Sequence, residues 1–236
     1  YSGYLGNRMF QTASTIGIAI KNGMDYIFPP CDYFNYFKGP IPVGKNLHFT
    51  ITTEYKEPEY RYLEVNLNPE KNYNLISPDF GFQTDKYWNS NEQLIKNIFT
   101  FNDETTGSVK AKYNYLLENP EIYLCSIHVR RGDYLKYPDY HPVQPIEYYL
   151  NAARQIEQKY GNLYRQIVYV VFSNDMKWCR ENFSMYDIFD DKLVYAEGNN
   201  EAQDMHFMSL CPINIIANSS FSWWAQYLNS HKNKIA

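Results

Sequence analysis

His128-Val129-Arg130-Arg131-Gly132-Asp133 sets an imidazole, two adjacent guanidinium groups and a carboxylate within six residues. A guanidinium forks onto two oxygens of a phosphate or carboxylate at once, so neighbouring arginines suit a strongly anionic ligand. The same letters also spell an adhesive Arg-Gly-Asp tripeptide, or a solvated turn whose ion pair is worth less than about 1 kcal/mol. Two further polar clusters, Ser173-Asn174-Asp175 and Asn218-Ser219-Ser220, resemble the first in one respect. Each directly follows a short apolar run.

Those runs are the elements that must position the clusters. "IYLCSIHV" (122–129), "IVYVVF" (167–172), "LVYA" (193–196) and "INIIA" (213–217) have strand length and no polar alternation. Between them, "PIEYYLNAARQIEQKYG" (145–161), "DMKWCRENF" (175–183) and "EAQDMHFMSLC" (201–211) carry helical spacing, and "SSFSWWAQYLN" (219–229) follows the last run. Strands apolar on both faces and alternating with helices predict a parallel, doubly wound α/β sheet. The carboxyl ends of such strands share one edge, and ligands bind in the crevice there. The three polar clusters therefore meet on one edge. The helix opening at Ser220 adds free amides and the positive end of a helix dipole. Two arginines and a helix start suit a diphosphate better than a single charge. The adhesive reading fits poorly, because its residues leave a strand that reads as buried.

The N-terminal half is less regular. "GNRMFQTASTIGIAIKNG" (6–23) predicts a helix with Phe10, Ala13, Ile16 or Gly17, and Ile20 inward, stopped by Gly23. "YIFP" (26–29) reads as a short strand, and the tract from Pro29 to Pro78 as loops and short strands. "EQLIKNIFTF" (92–101) and "TTGSVKAKYNYLLENP" (105–120) read as helices. A domain boundary is expected near 115–121, giving units 1–118 and 119–236.

Composition narrows the class. The chain has 236 residues, enough for a sizeable core, and 18% aromatic residues including 24 Tyr. Tyr-rich surfaces suit sugars and other polar ligands. A net charge of −4 offers no basic field for nucleic acid. Cys31, Cys125, Cys179 and Cys211 form no Cys-x-x-Cys pair, and three of them fall in buried-looking elements. Reduced thiols and an intracellular, cytoplasmic setting are expected. The tripeptides at Asn182 and Asn218 match the glycosylation pattern, a short motif that chance often produces. No run of about 18 apolar residues occurs, so no membrane span is expected. The abrupt start at "YSGYLGN" and the stop at "KNKIA", which resembles a strand cut short, read as trimmed ends.

Several motifs are discounted. "GPIPVGKN" (39–46) has phosphate-loop glycine spacing, but prolines remove amides and Asn46 replaces the metal-binding hydroxyl. The five histidines lack metal-ligand spacing, and neither Gly-x-Ser-x-Gly nor Asp-x-Asp occurs. Arginine, rather than a metal held by paired aspartates, must then neutralise a diphosphate.

"HVRRGDY" resembles the His-x-Arg-Arg-x-Asp signature of the α1,2-, α1,6- and protein O-fucosyltransferases. The likeness to the α1,2 family, glycosyltransferase family 11, extends over about residues 3–234. It includes "GYLGNRMFQ" (3–11), "GFQTDKYW" (81–88), "FSNDMKWCRENF" (172–183) and "DMHFMSLCPINIIANSSFSWWAQYLN" (204–229). This resemblance implies a GT-B architecture of two facing Rossmann-like lobes with a cleft between them. It implies GDP-β-L-fucose as donor, no metal or other cofactor, and inverting transfer to a galactose-containing glycan, at O2 of a terminal galactoside, in glycan biosynthesis. By the same likeness Arg130 contacts the donor β-phosphate and Arg131 supports fold or charge. His128 and Asp204 face guanine and ribose, while Ser219, Ser220 and Ser222 face the diphosphate, with Ser173, Asp175 and Phe221 lining the donor site. Asn7 reaches the reacting centre, and Arg8 and Asp85 belong to the acceptor side.

The chain departs from the family at Tyr4, Arg8, Thr12 and Asn174. Tyr4 and Arg8 bear on acceptor identity. The general base stays open between Asp133, Asp85 and a late proton transfer without one; for Asp133 the plainer reading is that it only orients an arginine. An α1,6-type transfer to N-acetylglucosamine and a non-catalytic GDP-sugar-binding protein are the alternatives to the main reading, with a plain lectin behind them. The expected place is the cytoplasm, including its inner-membrane periphery, or the Golgi lumen if the chain is a eukaryotic catalytic domain.

Overall fold

The structure, a computed structural model, describes residues 3–44, 53–59, 61–76, 81–162, 166–232 and 234–235. The chain divides into two compact units, Tyr1–Asn102 and Asp103–Ala236.

In the first unit, helix α1 (Leu5–Lys21) ends where Gly23 takes a φ of +65°, open to glycine at little cost. The helix is buried almost all round from Met9 to Ala19, but Ile20, expected inward, is 38% exposed. The reason lies two residues further on. Asn22 donates to Ile18 O and Val65 O and accepts from Leu67 N, so the chain covering this turn lies about 200° round the helix from Ile20. Strands β1 (Thr53–Lys56) and β2 (Tyr73–Ile76) pair in parallel, and helix α2 (Glu92–Ile98) follows. "YIFP" forms no strand; Phe28 makes a single parallel bridge to Val43. Of the discounted glycine stretch, Gly39 packs on the Ile98 backbone, whereas Lys45 and Asn46 lie outside the described residues, as does Pro78.

The second unit starts with helix α3 (Asp103–Leu117), earlier than the boundary expected at 118/119. Tyr113 of this helix stacks on Phe207 with ring centroids 4.2 Å apart, which ties α3 to the helices that follow. Then come β3 (Ile122–Val129), α4 (Ile146–Tyr160), β4 (Gln166–Ser173), α5 (Met176–Phe183), β5 (Leu193–Tyr195), α6 (Glu201–Leu210), β6 (Ile213–Ile215) and α7 (Ser220–Leu228). The four strands form one parallel sheet in the order β5-β4-β3-β6.

Continuous burial explains why these runs lack polar alternation, since β3 is buried residue by residue from Leu124 to Val129. On one face Cys125, Ile127 and Val129 join Tyr149, Ala153 and Ile156 of α4 and Phe183 of α5. On the other, Ser126 accepts from Asn214 Nδ2 at 2.8 Å and Phe172 meets Phe207 of α6 edge-on. Ile235 adds a lone parallel bridge to Ile213 at the β6 margin. The strand order reverses between β3 and β6, and in open α/β sheets the ligand crevice lies at such a switch point.

Candidate active site

β3 delivers Arg130 to the carboxyl edge beside this switch point, and the N-terminus of α7 follows the neighbouring β6. The backbone turns at Gly132, with φ +24°, into a 3-10 segment, Gly132–Lys136. Any Cβ on Gly132 would strike the amide of Asn174, whose Oδ1 accepts from Arg131 N at 3.0 Å. Asn174, a departure from the family pattern, thus buttresses the arginine turn. Asp175 does two jobs. Its Oδ1 caps α5 by accepting from Trp178 N, and its Oδ2 pairs with Arg131 Nε at 3.1 Å. Arg131 also lies over the Trp178 ring, 4.1 Å from its centre. Ser173 Oγ accepts from Asp175 N, completing this support.

Arg130 differs from its neighbour. Its Nη2 pairs with Asp133 Oδ1 at 2.7 Å, and the guanidinium lies 5.2 Å from the centre of the Tyr134 ring. The arginine side chain is 20% exposed and the aspartate 43%, so both reach solvent. Tyr134 was not singled out in the sequence, although it ends the "HVRRGDY" block. Its hydroxyl donates to Asn218 O at 3.1 Å, its ring stacks on His141 at 4.5 Å, and burial raises its pKa. Asn218 in turn donates to Pro142 O. The turn after β3 and the segment after β6 are thereby laced together across the switch point.

His128 is 6% exposed, with its ring 5.4 Å from that of Phe221. Burial, then the nearby Arg130 charge, pushes its pKa down to about 3, so the imidazole is neutral near pH 7. Its Nδ1 is buried without a hydrogen-bond partner among the described residues. Ser219 caps α7 by accepting from Phe221 N at 3.3 Å, and Ser220 is the first helical residue. Ser222 is fully buried and donates inward to Ala217 O and Ser219 O.

Asp204, on α6, accepts from Asn199 Nδ2 at 2.7 Å. Asn199 also meets Tyr113 Oη and Lys112 Nζ, and Lys112 donates to Glu197 O. Burial raises the carboxyl to about 6, while the Asn199 bond and then Lys112 oppose the rise. Neither Asn199 nor Lys112 carried a sequence signal, because both act only through contacts distant in the chain.

The remaining candidates lie in the first unit. Asn7 Oδ1 accepts from Gln83 Nε2 at 3.4 Å, and Gly3, with φ +78°, packs on the Asn7 amide. Arg8 is engaged locally, donating from Nε to Gly3 O and from Nη1 to Cys31 Sγ, with Tyr33 beneath it. Asp85, itself exposed, opens a 3-10 turn, Asp85–Tyr87, whose last residue is buried. Among the described residues no three His, Cys, Asp or Glu side chains gather as a metal site, and no helix is long and apolar enough to cross a membrane. All four cysteines are free thiols, with Cys125, Cys179 and Cys211 buried.

Comparison with known proteins bears on this edge. The chain is 30% identical over 217 residues to the O-antigen biosynthesis glycosyltransferase WbnK of Escherichia coli, covering 86% of this chain and 67% of that protein. It is 28% identical to an α-1,2-colitosyltransferase of Escherichia coli, over 98% of this chain and 86% of the relative. A galactoside α-(1,2)-fucosyltransferase 1 of Lagothrix lagotricha is 26% identical, over 96% of this chain and 63% of its own length. In fold, the chain resembles the NodZ α-1,6-fucosyltransferase soaked with GDP-fucose, with a TM-score of 0.57 and 14% identity, covering 94% of this chain and 88% of that one. The profile described as glycosyl transferase family 11 matches residues 1–235. The protein, with its arginine turn and helix start at one sheet edge, belongs to glycosyltransferase family 11.

Proposed function

We propose that the protein transfers L-fucose from GDP-β-L-fucose to a hydroxyl, O2 of a terminal galactoside, with inversion at the sugar carbon. One observation carries the reading: Arg130 and the start of α7 flank the β3/β6 switch point, where a diphosphate would meet both. The names of the α-1,2 relatives support the linkage and the deoxysugar class. In this reading the second unit is the donor lobe and the first the acceptor lobe of a GT-B enzyme.

As the C1–O bond of the donor breaks, its electron pair leaves with the β-phosphate. Arg130 and the first amides of α7 strengthen their hold as that charge grows, which lowers the barrier. The acceptor oxygen attacks C1 from the opposite face and gives up its proton. Asp133, paired with Arg130 at 2.7 Å, serves to orient the guanidinium. Asp85, exposed on the first unit, is the carboxylate offered for the proton. His128, neutral, contributes a hydrogen-bonding ring nitrogen to the nucleotide. Charge on the diphosphate is assigned to arginine, without a divalent cation, so turnover should persist in excess EDTA. The free thiols favour the reducing cytoplasm as the place of reaction.

The test is product formation from GDP-fucose with a panel of galactosides, the linkage read by NMR. A fucosyl-α1,2-galactoside is the expected product. GDP binding without turnover on any acceptor would overturn the reading. Because of the colitosyl relative, a nucleotide-linked colitose belongs in the donor panel.

A further inference from the structure

The segment 81–88 lies along one stripe of α1. Gly81 packs on Gln11, Phe82 O accepts from Ser14 Oγ at 2.8 Å, and Gln83 meets Asn7. Further along, a Cβ on Gly17 would strike Tyr87 O. Positions 7, 11, 14 and 17 share one helix face, so the stripe follows from helical spacing.

Within this segment the backbone is strained. Gly81 has φ +68° and Phe82 has φ +54°, a left-handed conformation that a bulky side chain resists. The surroundings hold it there. Phe82 N donates to Glu57 Oε2 at 2.9 Å, its carbonyl accepts from Ser14 Oγ and Thr84 N, and its ring is buried edge-on to Tyr87. Strain of this kind persists only where the structure over-determines it, and it clusters at functional sites. Here the effect is to project Gln83, which is exposed, against Asn7 at the opening of α1.

We infer that the Asn7–Gln83 amide pair binds hydroxyls of the acceptor sugar, and that Glu57 is the positioning residue that holds Gln83 there by clamping Phe82. Two carboxamides offer donors and acceptors together, the combination a sugar hydroxyl needs. The pair is uncharged, and the nearby Arg8 is engaged by Gly3 and Cys31, so a neutral glycan fits better than a phosphate. The inference rests on the transfer reading proposed above.

The test separates acceptor from donor. Gln83→Ala, an exposed change, should raise the acceptor KM about tenfold, the scale of one well-placed polar contact, and leave GDP affinity by calorimetry within about twofold. Glu57→Ala should do the same, while Glu57→Gln, which keeps an acceptor oxygen for Phe82 N, should recover most of the loss. An unchanged acceptor KM in Gln83→Ala overturns the site. A Glu57→Ala that melts earlier but keeps its acceptor KM overturns the positioning role. Wild-type protein that binds GDP yet fucosylates no galactoside defeats the transfer reading instead.

Discussion

The turn after β3 and the segment 81–84 both rely on a left-handed backbone, at Gly132 in one and at Gly81 and Phe82 in the other. They are stabilised differently. The arginine turn places its strained angle on glycine and secures its charges in pairs, Arg131 with Asp175 and Arg130 with Asp133. The 81–84 segment places strain on phenylalanine and holds it with neutral hydroxyl and amide contacts plus the Glu57 carboxylate. The first arrangement suits a ligand carrying charge, because its cation reaches solvent. The second suits a ligand recognised by shape and hydroxyl pattern, because rigidity is what it supplies.

The largest expected effect comes from the charged turn. Arg130→Ala should lower fucosyl transfer and donor hydrolysis alike by about 10²–10³-fold, as loss of a group that stabilises leaving-group charge does. Arg130→Lys should also be severely impaired, since a point charge cannot reproduce the fork. Circular dichroism should report an intact fold in both. Near-normal turnover by Arg130→Ala would remove the distinction between the two turns.

A paired substitution sharpens it. Gly132→Ala would drive a Cβ into Asn174, and Gly81→Ala would drive one into Gln11, each at a positive φ. Each should cost roughly 1–3 kcal/mol of stability by thermal unfolding. Their kinetics should part: Gly132→Ala should weaken GDP binding, and Gly81→Ala should raise the acceptor KM. If both act on the same substrate, the division of labour between the turns fails.

The two turns also differ in how far the sequence reveals them. The 122–129 run, the strand ends at Arg130 and Ser173 and the helix starting at Ser220 follow from local periodicity, and the edge rule then gathers the polar residues. What escapes is whatever depends on a distant partner. Asn174 buttresses a turn 43 residues away, Tyr134 bonds a carbonyl 84 residues away, and Phe82 is clamped by Ser14 across 68. Nothing in "GFQTDKYW" marks Phe82 as left-handed, because aromatic residues in general resist that conformation. "YIFP" fails as a strand for a related reason, since strand propensity needs a neighbouring strand to pair with and, among the described residues, Phe28 finds only one bridge.

Acid behaviour gives a smaller effect, followed at two buried groups of the second unit. The His128 ring is depressed to about 3, so the unfolded chain takes up its proton first as pH falls below about 6.5, and stability is lost from there downward. Asp204 works in the opposite sense. Its carboxyl is raised to about 6, so the folded chain binds that proton more tightly, and stability is gained as pH falls through 6. Asp204→Asn should therefore raise the melting temperature at pH 7.5, with the gain fading below pH 6, while weakening GDP. A melting temperature unchanged at both pH values would show that the carboxyl carries no such burial cost.

The smallest effect tests the lacing across the switch point. Tyr134→Phe keeps the ring beneath Arg130 and the stack on His141, and removes only the hydroxyl that donates to Asn218 O. That hydroxyl also meets Ser219 and Arg130, and losing these contacts, on the order of 1 kcal/mol net, should lower GDP affinity by about fivefold. Tyr134→Ala removes the ring as well, and should lose several times more. If the phenylalanine variant matches the alanine one, the hydroxyl bridge to the β6 side is what aligns Arg130. If it matches wild type, the stacked ring alone holds the arginine, and the charged turn depends on packing as much as the strained one does.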